Sequence, residues 1–189
     1  MAVAHLVGAF GLFWDRAEVN WSPGSQPKAW QLIGFRGKNR GTLRLCDVRE
    51  SKGFYILYDH HGPTYAGLAR GTGGIGARLK AHNFHKDHWN RFSWFAFDDV
   101  VDAGPKRPGW SVVRPRDALR GMDAEAVLRE CEALLIALLG LRDQNRMRFQ
   151  SAHQWHQLTG TAFLQLDVYR KVSRAGFSDP FYTSLARPT

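Results

Sequence analysis

Cysteine is scarce in this chain. Cys46 and Cys131 are the only two, and their wide separation excludes a disulfide scaffold and a cysteine-based zinc spacing. Cys131 falls in an apolar helical stretch and is expected in the core. Long apolar runs are missing too. The stretch Ala133–Leu141 is far short of the roughly 20 residues a membrane helix needs. The apolar start, Met1–Phe13, has no basic leader and no small-residue cleavage site before Trp14-Asp15-Arg16. The expectation is a cytoplasmic protein without membrane contact. No internal repeat and no low-complexity tract is found, which argues against a solenoid or a disordered linker chain.

What is present is a length of 189 residues and a hydrophobic content of 44%. That suits one ordinary domain, or a small domain with an appendage, and provides for a real core. Basic residues outnumber acidic ones, for a net charge of +9 and a pI near 10.0. Such an excess fits a polyanionic partner, and equally a soluble basic protein without one.

Residues 1–50 read as short strands over Leu6–Phe13, Ala17–Trp21, Trp30–Phe35 and Leu43–Val48, separated by turn signals such as Ser22-Pro23-Gly24. Lys38, Arg40 and Arg44 in this part are either phosphate contacts or solvated charges. From Gly53 the pattern changes. Phe54–Tyr58 is almost continuously apolar, as in a strand covered on both faces. Asp59-His60-His61-Gly62-Pro63 is a turn, and Thr64–Leu68 a second strand. A hairpin with Leu57 opposite Tyr65 would set Tyr55 and Tyr65 on one face as diagonal neighbours, and a one-residue slip would separate them. Ile75–His82 predicts a short helix entered from Gly71-Thr72-Gly73-Gly74. Phe92–Phe97 predicts a third strand, Ala103–Arg116 a loop, and a long helix runs from Asp123 to about Leu141.

Arg78 and His82, at i and i+4, share a helix face. A cation beside an imidazole makes sense under a phosphate; the alternative is two surface side chains on a basic protein. On the long helix, Val127, Leu128, Cys131, Leu134, Leu135, Leu138 and Leu139 form an apolar stripe at helical spacing. Glu132 falls inside its margin and Glu130 on the opposite, alanine-lined side. A carboxylate within an apolar stripe needs a metal or a cation partner such as a core arginine.

Gly53-Phe54-Tyr55, Tyr65-Ala66-Gly67, Arg78-x3-His82, Glu132-x2-Leu135-Ile136 and then Asn145 form an ordered set. It resembles the GIY-YIG endonuclease superfamily, stand-alone bacterial members in particular, over about half the chain. The resemblance implies an α/β (α+β) fold. It would have a small central mixed or antiparallel sheet of about three strands flanked by helices, with a β-rich N-terminal extension. The implied division is 1–50 extension, 51–146 nuclease domain and 147–189 C-terminal extension. The implied activity is DNA phosphodiester hydrolysis with one Mg²⁺ or Mn²⁺ and no small-molecule cofactor. Glu132 would hold the metal and Tyr65 would activate the attacking water. Tyr55 would support Tyr65, Arg78 would stabilise charge on the phosphate, and His82 would contact phosphate or move a proton. Arg70, Lys80 and Asn145 would bind substrate. The chemistry is coherent, since a hard cation takes carboxylate oxygen and a guanidinium matches phosphate oxygens.

The set departs from the family pattern in places. Phe54 and Ala66 stand where isoleucines are usual, and three extra residues fall in Gly71–Gly74. Leu68 fills a position that is lysine in some members, leaving Arg70 as the nearest cation. Asn145 comes one residue late and lacks the preceding proline.

Rival readings exist. Gly71-x-Gly73-x-x-Gly76, with Asp98 further on, matches a dinucleotide-binding fingerprint. His82, His85 and His88 recur every third residue, as zinc ligands could. A third reading keeps the fold as a nucleic-acid-binding module without catalysis. In it Lys80, Lys86, Arg91 and the aromatics Phe84, Trp89, Phe92 and Trp94 either contact phosphates and bases or serve the core.

Overall fold

A computed structural model describes residues 5–22, 30–37, 41–85, 88–116, 124–139, 149 and 151–159. The strands are β1 (Ala9–Asp15), β2 (Ile33–Arg36), β3 (Arg44–Asp47), β4 (Gly53–Tyr58) and β5 (Pro63–Ala69). After helix α1 (Gly74–His85) come β6 (Arg91–Ala96), β7 (Asp99–Asp102) and β8 (Ser111–Arg114). Helix α2 (Ala124–Leu138) and β9 (His153–Gln157) complete the order. One sheet of seven strands runs β3-β2-β9-β1-β6-β4-β5, and β7-β8 forms a separate hairpin. Among the described residues only the β1–β9 strand pair is parallel; the other strand pairs are antiparallel.

The seven-stranded mixed sheet overturns the expected small sheet of about three strands. The hairpin β4–β5 and its neighbour β6 are adjacent, but β1, β9, β2 and β3 extend the same sheet. Residues assigned by sequence to the 1–50 and 147–189 extensions thus add four of the strands. Ala17–Trp21 forms no strand, and β8 falls inside the loop expected over Ala103–Arg116, pairing with β7 just before it.

Strand alternation divides the side chains between two faces. One face packs Tyr55, Leu57, Phe92 and Trp94 against Ile75 and Leu79 of α1. Those two helix residues are fully buried, each contributing about 1.5–3 kcal/mol by transfer from water. The other face carries Phe10, Phe95 and Phe54 against Ala137, Leu134 and Leu138 of α2. Phe54 and Phe95 stack there with ring centroids 4.9 Å apart.

The direction of α2 corrects the sequence reading. Among its described side chains the buried ones are Glu130, Ala133, Ile136 and Ala137, while Glu132 is exposed. Leu135 and Leu139 are 56% and 66% exposed. Against the phenylalanine rings of that sheet face the helix sets buried Ala137 with half-buried Leu134 and Leu138. Glu130, not Glu132, is the buried carboxylate, and its Oε2 accepts the Val7 amide at 3.1 Å.

Candidate functional site

The hairpin register pairs Tyr55 with Gly67 and Leu57 with Tyr65, the alignment that brings the two tyrosines onto one face. Their rings lie 6.1 Å apart. Gly67 is required by this packing. A Cβ built there would sit 2.4 Å from both Cζ and the hydroxyl of Tyr55, so the tyrosine ring lies directly over the glycine of the opposite strand.

Helix α1 then delivers His82 to the pair. The Tyr55 hydroxyl and His82 Nε2 are hydrogen-bonded at 2.8 Å. The His82 ring is 4.6 Å from that of Tyr65 and 5.6 Å from that of Tyr55. Burial, then the neighbouring Tyr65, pushes the Tyr55 phenol up to about 12, while Arg78 works in the opposite direction. Tyr55 therefore keeps its proton at neutral pH. Tyr55 is 1% exposed and Tyr65 38%, so Tyr65 is the tyrosine a bound molecule can reach. Arg78 is exposed and close enough for its charge to act on Tyr55.

The helix is held from outside its own sequence. The Ile75 amide donates to the Ser51 carbonyl at 2.8 Å and the Gly76 amide to the Arg49 carbonyl at 2.7 Å. At the far end Arg16 donates to the Asn83 side chain and carbonyl at 2.8 and 3.1 Å and to the Trp89 carbonyl at 3.0 Å. Its guanidinium lies 4.7 Å from the Trp89 ring centroid. These contacts fix the turn that carries His82. Nothing in the local sequence around Arg16 signals this clamp, whereas the role of Gly67 follows from the hairpin register alone.

The amides at the start of α1 also decide the dinucleotide reading. A phosphate cradle needs free N–H groups at the helix N-terminus. Here Gly74 donates to Gly71, Ile75 to Ser51, Gly76 to Arg49 and Ala77 to Gly73. A Cβ at Gly76 would meet the Arg49 side chain at 2.4 Å, and one at Gly74 the Glu50 backbone at 2.4 Å. The glycines let the helix press against the chain at 49–51.

The remaining sequence-predicted residues scatter. Glu132 sits on the exposed side of a helix that packs against the opposite face of the sheet from Tyr55. The structure does not bring it to the tyrosines, because α2 and the tyrosines lie on opposite faces of the sheet. Arg70 is exposed between β5 and α1, and Lys80 is half-buried on another flank of α1. Asn145 lies outside the described residues. Among the described residues, no group of three or more His, Cys, Asp or Glu could hold a metal. The zinc reading of His82, His85 and His88 therefore has no supporting cluster. Mg²⁺ or Mn²⁺ held by Glu132 does not fit the residues around the tyrosines either. Among the described residues, no helix is long and apolar enough to cross a membrane.

Comparison with protein-family models, with curated proteins and with solved structures finds no match.

Proposed function

We propose that the Tyr55–Tyr65–Arg78–His82 cluster is a phosphodiester-hydrolysing site acting on DNA. The observation that carries this reading is the convergence on one sheet face of two tyrosines and an imidazole. The Tyr55–His82 hydrogen bond is 2.8 Å and the Tyr65 ring stands 4.6 Å from His82, in a protein of net charge +9. Arg78 takes the phosphate oxygens, where a guanidinium offers paired donors and stabilises developing charge. The Tyr65 hydroxyl orients the attacking water. As that water attacks phosphorus, the bond to the leaving sugar oxygen breaks. The proton of the water passes to Nδ1 of His82, in the tautomer whose Nε2–H donates to the Tyr55 hydroxyl oxygen, histidine being the side-chain type that titrates nearest neutrality. The leaving oxygen takes its proton from solvent. Tyr55, protonated and buried, holds the imidazole in place.

The second reading is a nucleic-acid-binding module without cleavage. It is favoured by the position of Glu132, which leaves the ordered set without its carboxylate at the cluster.

Cleavage of plasmid and single-stranded DNA, with Mg²⁺ and with chelator, separates the two. Tyr65→Phe, Arg78→Ala and His82→Ala should each lower cleavage at least about tenfold with folding retained, in line with loss of acid–base or charge-stabilising groups. Glu132→Ala should cleave like wild type. DNA binding with no cleavage under any condition would replace the nuclease by the binding module. Loss of cleavage in Glu132→Ala alone would overturn the site as drawn.

A further inference from the structure

A second feature lies on the flank of α1 turned away from Tyr55. An open groove of about 570 Å³ is lined by Trp30, Glu50, Ala77, Lys80, Ala81 and Phe84. Arg49 closes it further, held by Asp47 and by the Trp30 carbonyl. The floor is smooth, because Ala77 and Ala81 lie one turn apart and both are exposed. At one end stands Phe84, 61% exposed, a large apolar ring in water at the end of a charged helix. On the wall, the Lys80 ammonium lies 5.1 Å from the Trp30 ring centroid, and Trp21 stacks behind Trp30 at 5.7 Å. Glu50 is exposed on the rim.

We propose that this groove binds a nucleobase of a single-stranded stretch of the DNA whose phosphate sits at Tyr65 and Arg78. The proposal rests on the phosphodiester reading of that cluster and adds the second point of attachment. Three properties select a nucleobase. A flat, open slot with exposed Phe84 offers a stacking face, and every base has one. Lys80 supplies a cation for the adjoining phosphate. Glu50 is an acceptor on the rim, suited to an exocyclic amine such as that of cytosine. Arg78 and His82 occupy the neighbouring flank of the same helix, so a strand crossing α1 would pass from one site to the other. A duplex keeps its bases stacked and paired, so the groove favours single strands or frayed ends.

The test is equilibrium binding of short oligodeoxycytidylate against an abasic strand of equal length, by fluorescence anisotropy without divalent metal. Wild type should prefer oligodeoxycytidylate. Phe84→Ala should weaken that binding about 5- to 150-fold, the loss of one base stack, and leave the abasic strand unchanged. Lys80→Gln should weaken both strands and lower the salt slope by about one ion. Glu50→Gln should narrow the preference for oligodeoxycytidylate over oligothymidylate. Equal affinity of wild type for oligodeoxycytidylate and the abasic strand would overturn the proposal. So would an unchanged preference in Phe84→Ala. Because binding is read without cleavage, base discrimination lost in Phe84→Ala stands even if Tyr65→Phe proves to cleave normally. Normal cleavage by Tyr65→Phe would count against the nuclease site alone.

Discussion

Replacing Gly67 by alanine puts a methyl group where the Tyr55 ring lies. The added Cβ would stand 2.4 Å from Cζ and from the hydroxyl oxygen, far inside contact distance, so one partner must move. Tyr55 is closed in by the core around Leu57, Ile75, Leu79 and Trp94. β5 is the edge strand of the sheet and can yield outward, at the expense of its ladder to β4. Overpacking of this kind costs about 1–3 kcal/mol, and displacing the hydroxyl from His82 forfeits a hydrogen bond worth about 1 kcal/mol. With a melting-temperature shift of roughly 2–4 °C per kcal/mol for a chain of this size, Gly67→Ala should lower Tm by about 4–16 °C. Thermal and urea unfolding followed by circular dichroism measure this directly. A double-mutant cycle with Tyr55→Leu locates the cause. Once the ring is gone, the cost of the methyl should fall by at least about 0.5 kcal/mol. Gly67→Ala within about 0.5 kcal/mol of wild type would refute the reasoning. A large cost that is additive with Tyr55→Leu would do the same.

Two further predictions concern the surroundings of the same site. The folded Tyr55 phenol titrates at about 12, above its ordinary value of 10.0, so the folded state binds this proton more tightly than the unfolded state. The associated stability is complete below about pH 10 and is lost as pH rises through about 12. Urea unfolding across that range should show the decline, and Tyr55→Phe should flatten it. Burial raises Tyr58 as well, so a residual slope remains; an unaltered slope would sink the assignment. Asp47 accepts from the Leu32 and Arg49 amides at 3.1 and 3.2 Å and pairs with the Arg49 guanidinium at 3.1 Å. Asp47→Ala should cost about 1–3 kcal/mol and Asp47→Asn less, since the amide oxygen still accepts. Equal loss in both variants would show that the ion pair, and not the backbone bonds, carries the effect.

The parts of this protein legible in sequence are those fixed by short-range spacing. A continuous apolar run, a five-residue turn and a second run mark β4 and β5; their register is open in sequence to a one-residue slip, and the structure takes the alignment with Leu57 opposite Tyr65. The i, i+4 spacing placed Arg78 and His82 together on α1. The rest depended on partners distant in sequence. His153–Gln157 is polar apart from Trp155, yet it becomes a strand between β1 and β2. Its ladder is made of backbone hydrogen bonds to neighbours more than 100 residues away, and Trp155 is its one buried side chain. Composition carries no mark of that. The phase of α2 failed for a related reason. A leucine stripe is the usual buried face, but the opposing surface here is already filled by Phe10, Phe54 and Phe95. Ala137 is buried against those rings with Leu134 and Leu138 half-buried beside it, while Leu135, Leu139 and Glu132 turn outward.

The same principle explains why the candidate site is separable from α2. The contacts described for Tyr55 and His82 come from the α1 side of the sheet, from the segment 49–51 and from Arg16. Gly67 gives Tyr55 its space, and Gly74 and Gly76 let α1 approach Arg49 and Glu50 closely. The carbonyls of Arg49 and Ser51 take the first amides of the helix, while Arg16 holds its last turn. The glycines that look like a phosphate loop are spacers that set the distance between helix and strand. That distance determines whether a histidine on the third turn reaches a tyrosine on the second residue after Gly53. A chain that changed Gly76 to a larger residue would keep every polar group of the site and still pull His82 off Tyr55. The ordered motif is therefore only half of the site, and the close-packed backbone beneath it is the other half.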